Sequence, residues 1–432
     1  MKKKIFLLML LIFSFSSKVQ ANEHLINLIK ANIEKGDALT LEQCIEFAID
    51  NNPNITSAKN TAKVIESKVS QAKSNYLPQL NLSTGYDRRN SSTDSSYDKS
   101  SNQMQANITL NQVIYDFGKI ASNVKIQNYN LKSSESDLDN TVIQTVFYVK
   151  KAYYGVLSAV KSKEVYTKAV DQYNDLLKQA NAFYKEGLKP KIDVTTAEVN
   201  LSNAKLNLIK ADNAVKTAYA NLNNAIGISD ALNYNLKDNL VFSKYDIDFQ
   251  NALDNAYNNR PDLKTIAVKE SSASESVKLS KKNYLPELNG FSNYGFGGKG
   301  FPLDNGWSVG ANITLPVFNG FLTKNKIKEA EANLNVVKSN EEILKQNALL
   351  DVQQAYISFI EAEKSIPVAE LITKQAKENF DIAIGRYKVG VGNHIEVKDA
   401  ELTYRNAELT KIQALYDYNI AVSNLERAMG IK

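Results

Sequence analysis

Val142, Val149 and Val156 recur every seven residues within a proline-free stretch from about Phe117 to Tyr184, with Val146, Tyr153 and Val160 on the same face. Lys163 interrupts the series, and Val170, Leu177 and Tyr184 resume it. Apolar residues at this period form a coiled-coil seam. At about 1.5 Å per residue, one continuous helix over this stretch would be on the order of 100 Å long, several times the usual globular helix. Such a rod needs partner rods along its length.

A second copy of the pattern provides one. Asn75-Tyr76-Leu77-Pro78-Gln79-Leu80 returns as Asn283-Tyr284-Leu285-Pro286-Glu287-Leu288. Tyr184-Lys185-Glu186-Gly187 returns as Tyr387-Lys388-Val389-Gly390, and Ala225-Ile226-Gly227-Ile228 has its counterpart at Met429-Gly430-Ile431. Each copy predicts the same order of elements. A short helix (Leu41–Asn51; Asn251–Asn259) meets Pro53 or Pro261, which suits the first turn of a second helix because its missing donor would be unpaired there. That helix runs to Tyr76 or Tyr284. Two strands, the long helix, a glycine-containing turn and a last helix of about 35 residues follow. Pro367 falls inside the second long helix, where a bend is expected. The predicted organisation is a signal peptide at 1–21, a first repeat at 22–228, a linker at 229–250 and a second repeat at 251–432.

The strands carry a different period. Met104, Ala106, Ile108 and Leu110 alternate with Gln103, Gln105, Asn107 and Thr109, and Trp307, Val309, Ala311, Ile313, Leu315 and Val317 alternate with small and polar residues. Leu80, Leu82, Thr84 and Tyr86 alternate likewise, while the strand after Leu288 is poorer. One apolar face opposite one of uncharged polar groups suits a barrel with lipid outside and water inside, and equally a half-buried sheet in water. Tyr76, Tyr115, Tyr284, Trp307 and Phe318, near the strand ends, suit a membrane interface. Four strands cannot close a barrel, for which about eight are needed. Two chains would make a barrel filled by side chains; three would make about 12 strands around a lumen, so a trimer is the smallest assembly with a pore.

Lys2, Lys3 and Lys4 precede the apolar run Ile5 to Phe15, and Val19-Gln20-Ala21 follows, as in a cleaved secretory signal. The run is too short to span a bilayer as a helix. Of 52 basic residues against 47 acidic, four lysines go with the signal, leaving about one net positive charge. That excludes a case for nucleic acid. Cys44 is the single cysteine, which excludes an internal disulfide, and its alignment with Ala252 predicts a small buried residue. Two histidines cannot make a histidine metal cluster, no spacing joins nucleophile, base and orienting acid, and no cofactor site is predicted. Gly295-Phe296-Gly297-Gly298-Lys299-Gly300 lacks the ending of a phosphate loop and reads as an outer loop. The chain reads as no enzyme.

The whole set of motifs, in order and in duplicate, resembles the TolC family of outer-membrane export channels. The set includes Arg260-Pro261-Asp262-Leu263, Val113-Ile114-Tyr115-Asp116 and Pro316-Val317-Phe318-Asn319-Gly320 besides those above, and covers nearly all of the mature chain. The resemblance implies a mainly α fold with a β-barrel part. Long antiparallel coiled-coil helices in two tandem repeats would carry four strands per chain into a trimeric 12-stranded outer-membrane barrel, continued by a periplasmic α-barrel. It implies a passive exit duct for efflux or type I secretion, partnered by a periplasmic adaptor and an inner-membrane transporter, with lipid around the barrel. The rival expectation is a soluble periplasmic coiled-coil adaptor or structural protein.

The resemblance also implies a gate. By position from the Tyr-x-x-Gly turns, the family's tyrosine matches Tyr387, its aspartate partner Asp193, and its two acidic constriction residues Glu396 and Asp399. Gly187, Leu188, Gly390 and Val391 would form the adaptor-facing tips. The sequence departs from the family at Gly392, where the pattern has an arginine. Local readings stand beside these: Asp193 and Glu396 also complement the dipole of a helix first turn, Tyr387 packs equally well within the hairpin, and Gly187 and Gly390 suit left-handed helix ends. His394 reads as a solvated turn histidine.

Overall fold

The computed structural model describes residues 38–90, 100–228 and 234–432. The predicted signal peptide at 1–21 lies outside the described residues. In chain order the elements are α1 (Leu41–Asn51), α2 (Pro53–Ser74), β1 (Gln79–Asn90), β2 (Ser100–Tyr115), α3 (Lys119–Lys185), α4 (Lys191–Ile226), α5 (Phe249–Asn259), α6 (Pro261–Lys282), β3 (Glu287–Gly298), β4 (Asp304–Thr314), α7 (Leu322–Lys388) and α8 (His394–Ala428). The same run of elements occurs twice. Both long helices have 67 residues, and α7 continues through Pro367. α5 begins two residues before the predicted start because the Asp248 carboxylate caps it, accepting from the Asn251 N–H at 2.7 Å. Thr40 and Gln43 form a reciprocal capping box on α1. The fold consists of two compact units, each drawing on both halves of the chain.

One unit spans Ala58–Leu138 and Pro261–Lys345 and contains the sheet. Its strands are antiparallel in the order β1-β2-β3-β4. Pairing places Leu82 opposite Ile108, Ile108 opposite Tyr294, and Tyr294 opposite Trp307, so the apolar sets of all four strands share one face. Asn81, Thr109, Asn293 and Ser308 pair in the same way across the other. β3, the poorest strand in sequence, conforms through Leu288, Tyr294 and Phe296. Its exception, Phe291, lies on the polar face above Gly310, where a Cβ would sit 2.8 Å from the ring. A bulge at Ile114 changes the parity of β2, so that Tyr115 pairs with Leu288 on the apolar side. β4 stops at Thr314, short of the predicted Val317, because Pro316 has no N–H for the ladder. Where β2 meets α3, Glu275 of α6 is buried and accepts from Ser122 at 2.7 Å and Lys125 at 3.1 Å.

The other unit contains the described residues up to Ser57 together with Asp139–Arg260 and Gln346–Lys432, and is helical. Val142, Val146, Val149, Tyr153 and Val156 are buried as the heptads predict. Beyond Lys163 the seam resumes only in part: Val170 and Leu177 are half-buried at the margin of the core, Tyr184 is exposed, and the fully buried positions are Val165, Ala169, Tyr173, Leu176 and Ala180. Val165 and Leu176, and Ala169 and Ala180, are eleven residues apart, a spacing that matches the 3.6-residue turn more closely than seven does. Cys44 is buried, as its alignment predicts, and desolvation pushes its thiol up to about 12.

Each repeat closes in the same way. The residue before the helix-starting proline donates its side chain to a last-turn carbonyl of that repeat's final helix: Asn52 Nδ2 to Ala225 O at 2.8 Å, and Arg260 Nη1 to Ala428 O at 3.3 Å. Gly227 and Gly430, at φ +82° and +74°, lie directly against the backbones of Asn51–Asn52 and Asn259–Arg260. The connecting segment is strapped down by two buried tyrosines. Tyr153 donates to Lys237 O at 2.7 Å, and Tyr418 donates to Ser243 O at 2.7 Å while accepting from Tyr245 N. Gly430→Ala combines a disfavoured φ with a Cβ about 2.8 Å from Arg260 backbone, so it should destabilise by more than about 1 kcal/mol, whereas Gly300→Ala, in open space, should leave the melting temperature unchanged.

Candidate functional site

The sequence directs attention to the two turns, α3 to α4 and α7 to α8, both in the helical unit. The turns are built alike. Gly187 N–H bonds to Tyr184 O and Leu188 N–H to Phe183 O; Gly390 N–H bonds to Tyr387 O and Val391 N–H to Arg386 O. Each is a Schellman ending with glycine at positive φ, +72° and +79°. Only glycine adopts that conformation cheaply, which is the reason for the repeated Tyr-x-x-Gly. The motif leaves Leu188 and Val391 exposed, together with Ile192, Val389 and Ile395.

Tyr387 points the other way. It is buried against Phe183 of α3, ring centroids 5.9 Å apart and edge-on, in a core shared with Leu201 of α4 and Val397 of α8. Burial, and next the charge of Asp193, push its hydroxyl pKa up. The charge of Asp193 thus reaches Tyr387, and Tyr387 packs both across to Phe183 of the first hairpin and against Val397 within its own.

Glu396 and Asp399 sit three apart on the exposed face of α8, while Val397 and Ala400 turn into the core. Asn393 caps the helix, accepting from Glu396 N–H at 2.8 Å. Gly392 is buried in the turn, and a Cβ there would lie 2.9 Å from Tyr387 N. No side chain fits on this backbone, so the absent arginine has a local steric reason. Arg386 instead approaches Glu396, at 3.7 Å and with both side chains about half exposed, an arrangement worth little in salt.

His394 is not the solvated histidine expected from its turn. It is half-buried, with Nε2 3.3 Å from Asn200 Nδ2 of α4. Desolvation lowers its pKa, helped by Lys398 and opposed by Asp193 and Asp399. Three further residues escaped the sequence reading: Tyr173, Glu401 and Arg405, a buried hydrogen-bonded cluster just behind the acidic pair. The available signal was Glu401 lying on the apolar stripe of Val397, Ala400 and Tyr404, with an arginine one turn on.

Among the described residues no helix is long and apolar enough to cross a membrane, and no group of histidine, cysteine and acidic residues has metal-holding geometry. The sheet, apolar on one face and polar on the other, and the paired long helical hairpins define the protomer of an outer-membrane duct. The chain belongs to the outer membrane efflux protein family, whose profile matches residues 44–228 and 252–431. It is accordingly an export channel protein of the outer membrane and not an enzyme. It is 23% identical over 405 residues to Outer membrane protein TolC of Vibrio cholerae serotype O1, covering 91% of each chain. It is 24% identical over 304 residues to the Toxin and drug export protein A of Aggregatibacter actinomycetemcomitans, covering 69% of this chain and 66% of that one. In fold it superposes on the CmeC outer membrane channel of Campylobacter jejuni with a TM-score of 0.79 at 17% identity, over 90% of this chain and 85% of that one.

With His394 depressed in the folded state, the stability it contributes is complete above the ordinary histidine value of 6.5 and is lost as pH falls through the folded value. NMR titration should place His394 below that value, and His394→Gln should flatten the stability profile between about pH 5 and 7.

Proposed function

We propose that the chain assembles as a homotrimer, each protomer giving four strands to a 12-stranded barrel and two hairpins to a periplasmic tunnel, and serves as the passive exit duct of an efflux pump or a type I secretion system. The observation that carries this reading is the sheet. It has apolar residues of four strands on one face, amides and hydroxyls on the other, and β1 and β4 at its ends. In hydrocarbon an open edge leaves backbone groups unsatisfied, so an edge strand must meet the edge of another copy. Lipid then covers the face of Leu82, Ile108 and Ile313, and the polar face lines a water-filled bore.

The turns are the docking end. Leu188 and Val391, presented by Gly187 and Gly390, are apolar and exposed on rigid helix endings, a surface suited to the helical tip of a periplasmic adaptor that couples to an inner-membrane transporter. Glu396 and Asp399, repeated in three copies, would put about six carboxylates around the axis and favour cations at the constriction. Asp193 and Tyr387 join the two hairpins behind it. Both drug-sized and polypeptide cargoes fit a duct of this kind, as the name of the toxin and drug export relative indicates for that protein.

Two measurements test the reading. Arginine at Val309, midway along β4 on the apolar face, should cost about 2–4 kcal/mol and abolish membrane trimers, whereas arginine at Ser308 on the opposite face should be tolerated; trimers from the Val309 variant would reverse the assigned faces. Glu396→Ala with Asp399→Ala should lower the cation-to-anion permeability ratio in planar bilayers, and an unchanged ratio would remove both residues from the constriction.

A further inference from the structure

The interior of the helical unit holds a charge that the gate residues do not account for. Glu401 of α8 is 1% exposed and lies within the core that also contains Leu176, Leu201 and Phe380. Its carboxylate accepts from the Tyr173 hydroxyl of α3 at 2.5 Å and from Arg405 Nη1 at 3.1 and 3.2 Å to its two oxygens. Tyr173 is itself buried, and desolvation followed by the bond to Glu401 pushes its pKa far up, so its hydroxyl keeps the proton and remains the donor. Burial also raises the Glu401 carboxyl, against the pull of Tyr173 and Arg405.

A buried carboxylate is heavily penalised unless its oxygens are satisfied. Arg405 comes from Glu401's own helix and satisfies it wherever α8 goes. Tyr173 comes from the other hairpin, so it is the partner whose loss separates the two hairpins. Replacing a buried ion pair by apolar residues is often neutral for stability, so the best-attested use of such a group is to fix one packing arrangement among several. Glu401 is two positions beyond Asp399 on the same helix, and the register of α8 against α3 at this point sets where the exposed acidic pair stands. The surface contact Arg386–Glu396 is open to solvent and screened; the Tyr173–Glu401 bond is shielded from salt.

We propose that the Tyr173–Glu401 bond is a buried latch between the two helical hairpins, with Glu401 the positioning residue that holds α8, and hence Glu396 and Asp399, in the closed arrangement. The inference rests on the duct reading above. Opening that swings the second hairpin away from the first must break this bond, and until it breaks the channel stays closed whatever the ionic strength.

The test uses the full mature protein in planar bilayers. Tyr173→Phe removes one oxygen and keeps the packing. Loss of one hydrogen bond to a charged group should shift the open–closed equilibrium about tenfold towards open, at low and at high salt alike. Glu401→Met, which removes both acceptor oxygens, should open the channel comparably, and the double variant no further than the stronger single one, because both remove the same bond. Leu176→Ala loosens the same core without touching the bond and should lower the melting temperature while leaving gating as in the wild type. Tyr173→Phe trimers with wild-type gating would overturn the latch, as would Leu176→Ala opening the channel equally. A wild-type protein that forms no pore would overturn the duct reading and the latch with it, so the two failures are distinguishable.

Discussion

Backbone hydrogen bonding in hydrocarbon is the constraint on which the remaining structure depends. A strand crossing lipid has no water to satisfy its N–H and C=O groups, so each must be paired across the sheet. Among the described residues that requirement is met along three strand pairings, and it is unmet along β1 and β4 at the ends of the order β1-β2-β3-β4. The side chains agree with the backbone: Leu82, Ile108, Tyr294 and Trp307 line one face and Asn81, Thr109, Asn293 and Ser308 the other. A sheet built this way is stable only as part of something larger, which is the physical reason that assembly and function coincide in an outer-membrane duct.

The duplication is chemical as well as topological. Asn52 and Arg260 occupy equivalent places before Pro53 and Pro261, and each donates to the last turn of its own repeat's final helix. The side chains differ while the task is the same, satisfying carbonyls that a helix end leaves without partners. Gly227 and Gly430 perform matching work, since each turns the chain through a left-handed residue against the backbone of that junction. Arg260 adds an ion pair with Asp351 at 3.2 Å, a cross-link to α7 that ties the second junction further into the helical unit.

Polar groups in the long helices are kept at the places where helices must hold one arrangement. Glu275 with Ser122 and Lys125 lies where the strands give way to α3, Tyr153 and Tyr418 strap the connecting segment, and Tyr173 with Glu401 joins the hairpins near their turns. Between these points the cores are mainly alanine, valine and leucine with a few larger side chains such as Phe47, Phe359 and Phe380. Apolar packing supplies the cohesion and leaves sliding cheap; hydrogen-bonded polar groups, costly to leave unpaired, select one register.

The sequence by itself determined the duplication, the two long rods, the four amphipathic strands, the glycine-ended turns and the burial of Cys44. Periodicity, proline and glycine are local signals, and each of these features is local. The family was legible for the same reason, because its motifs are short and repeat in order. Only the tertiary structure decided that all four strands turn their apolar sets to one side, since a shift of one residue in pairing would invert a strand and a bulge at Ile114 was needed to keep Tyr115 with Leu288. Tertiary packing likewise centred the buried seam of α3 on Ala169, Tyr173 and Ala180, with Val170 and Leu177 at its margin and Tyr184 outside it, closed the space at Gly392, drew His394 against Asn200 and set Tyr173 against Glu401. Those outcomes depend on residues far apart in the chain meeting in space, and no local pattern records which partner a side chain finds.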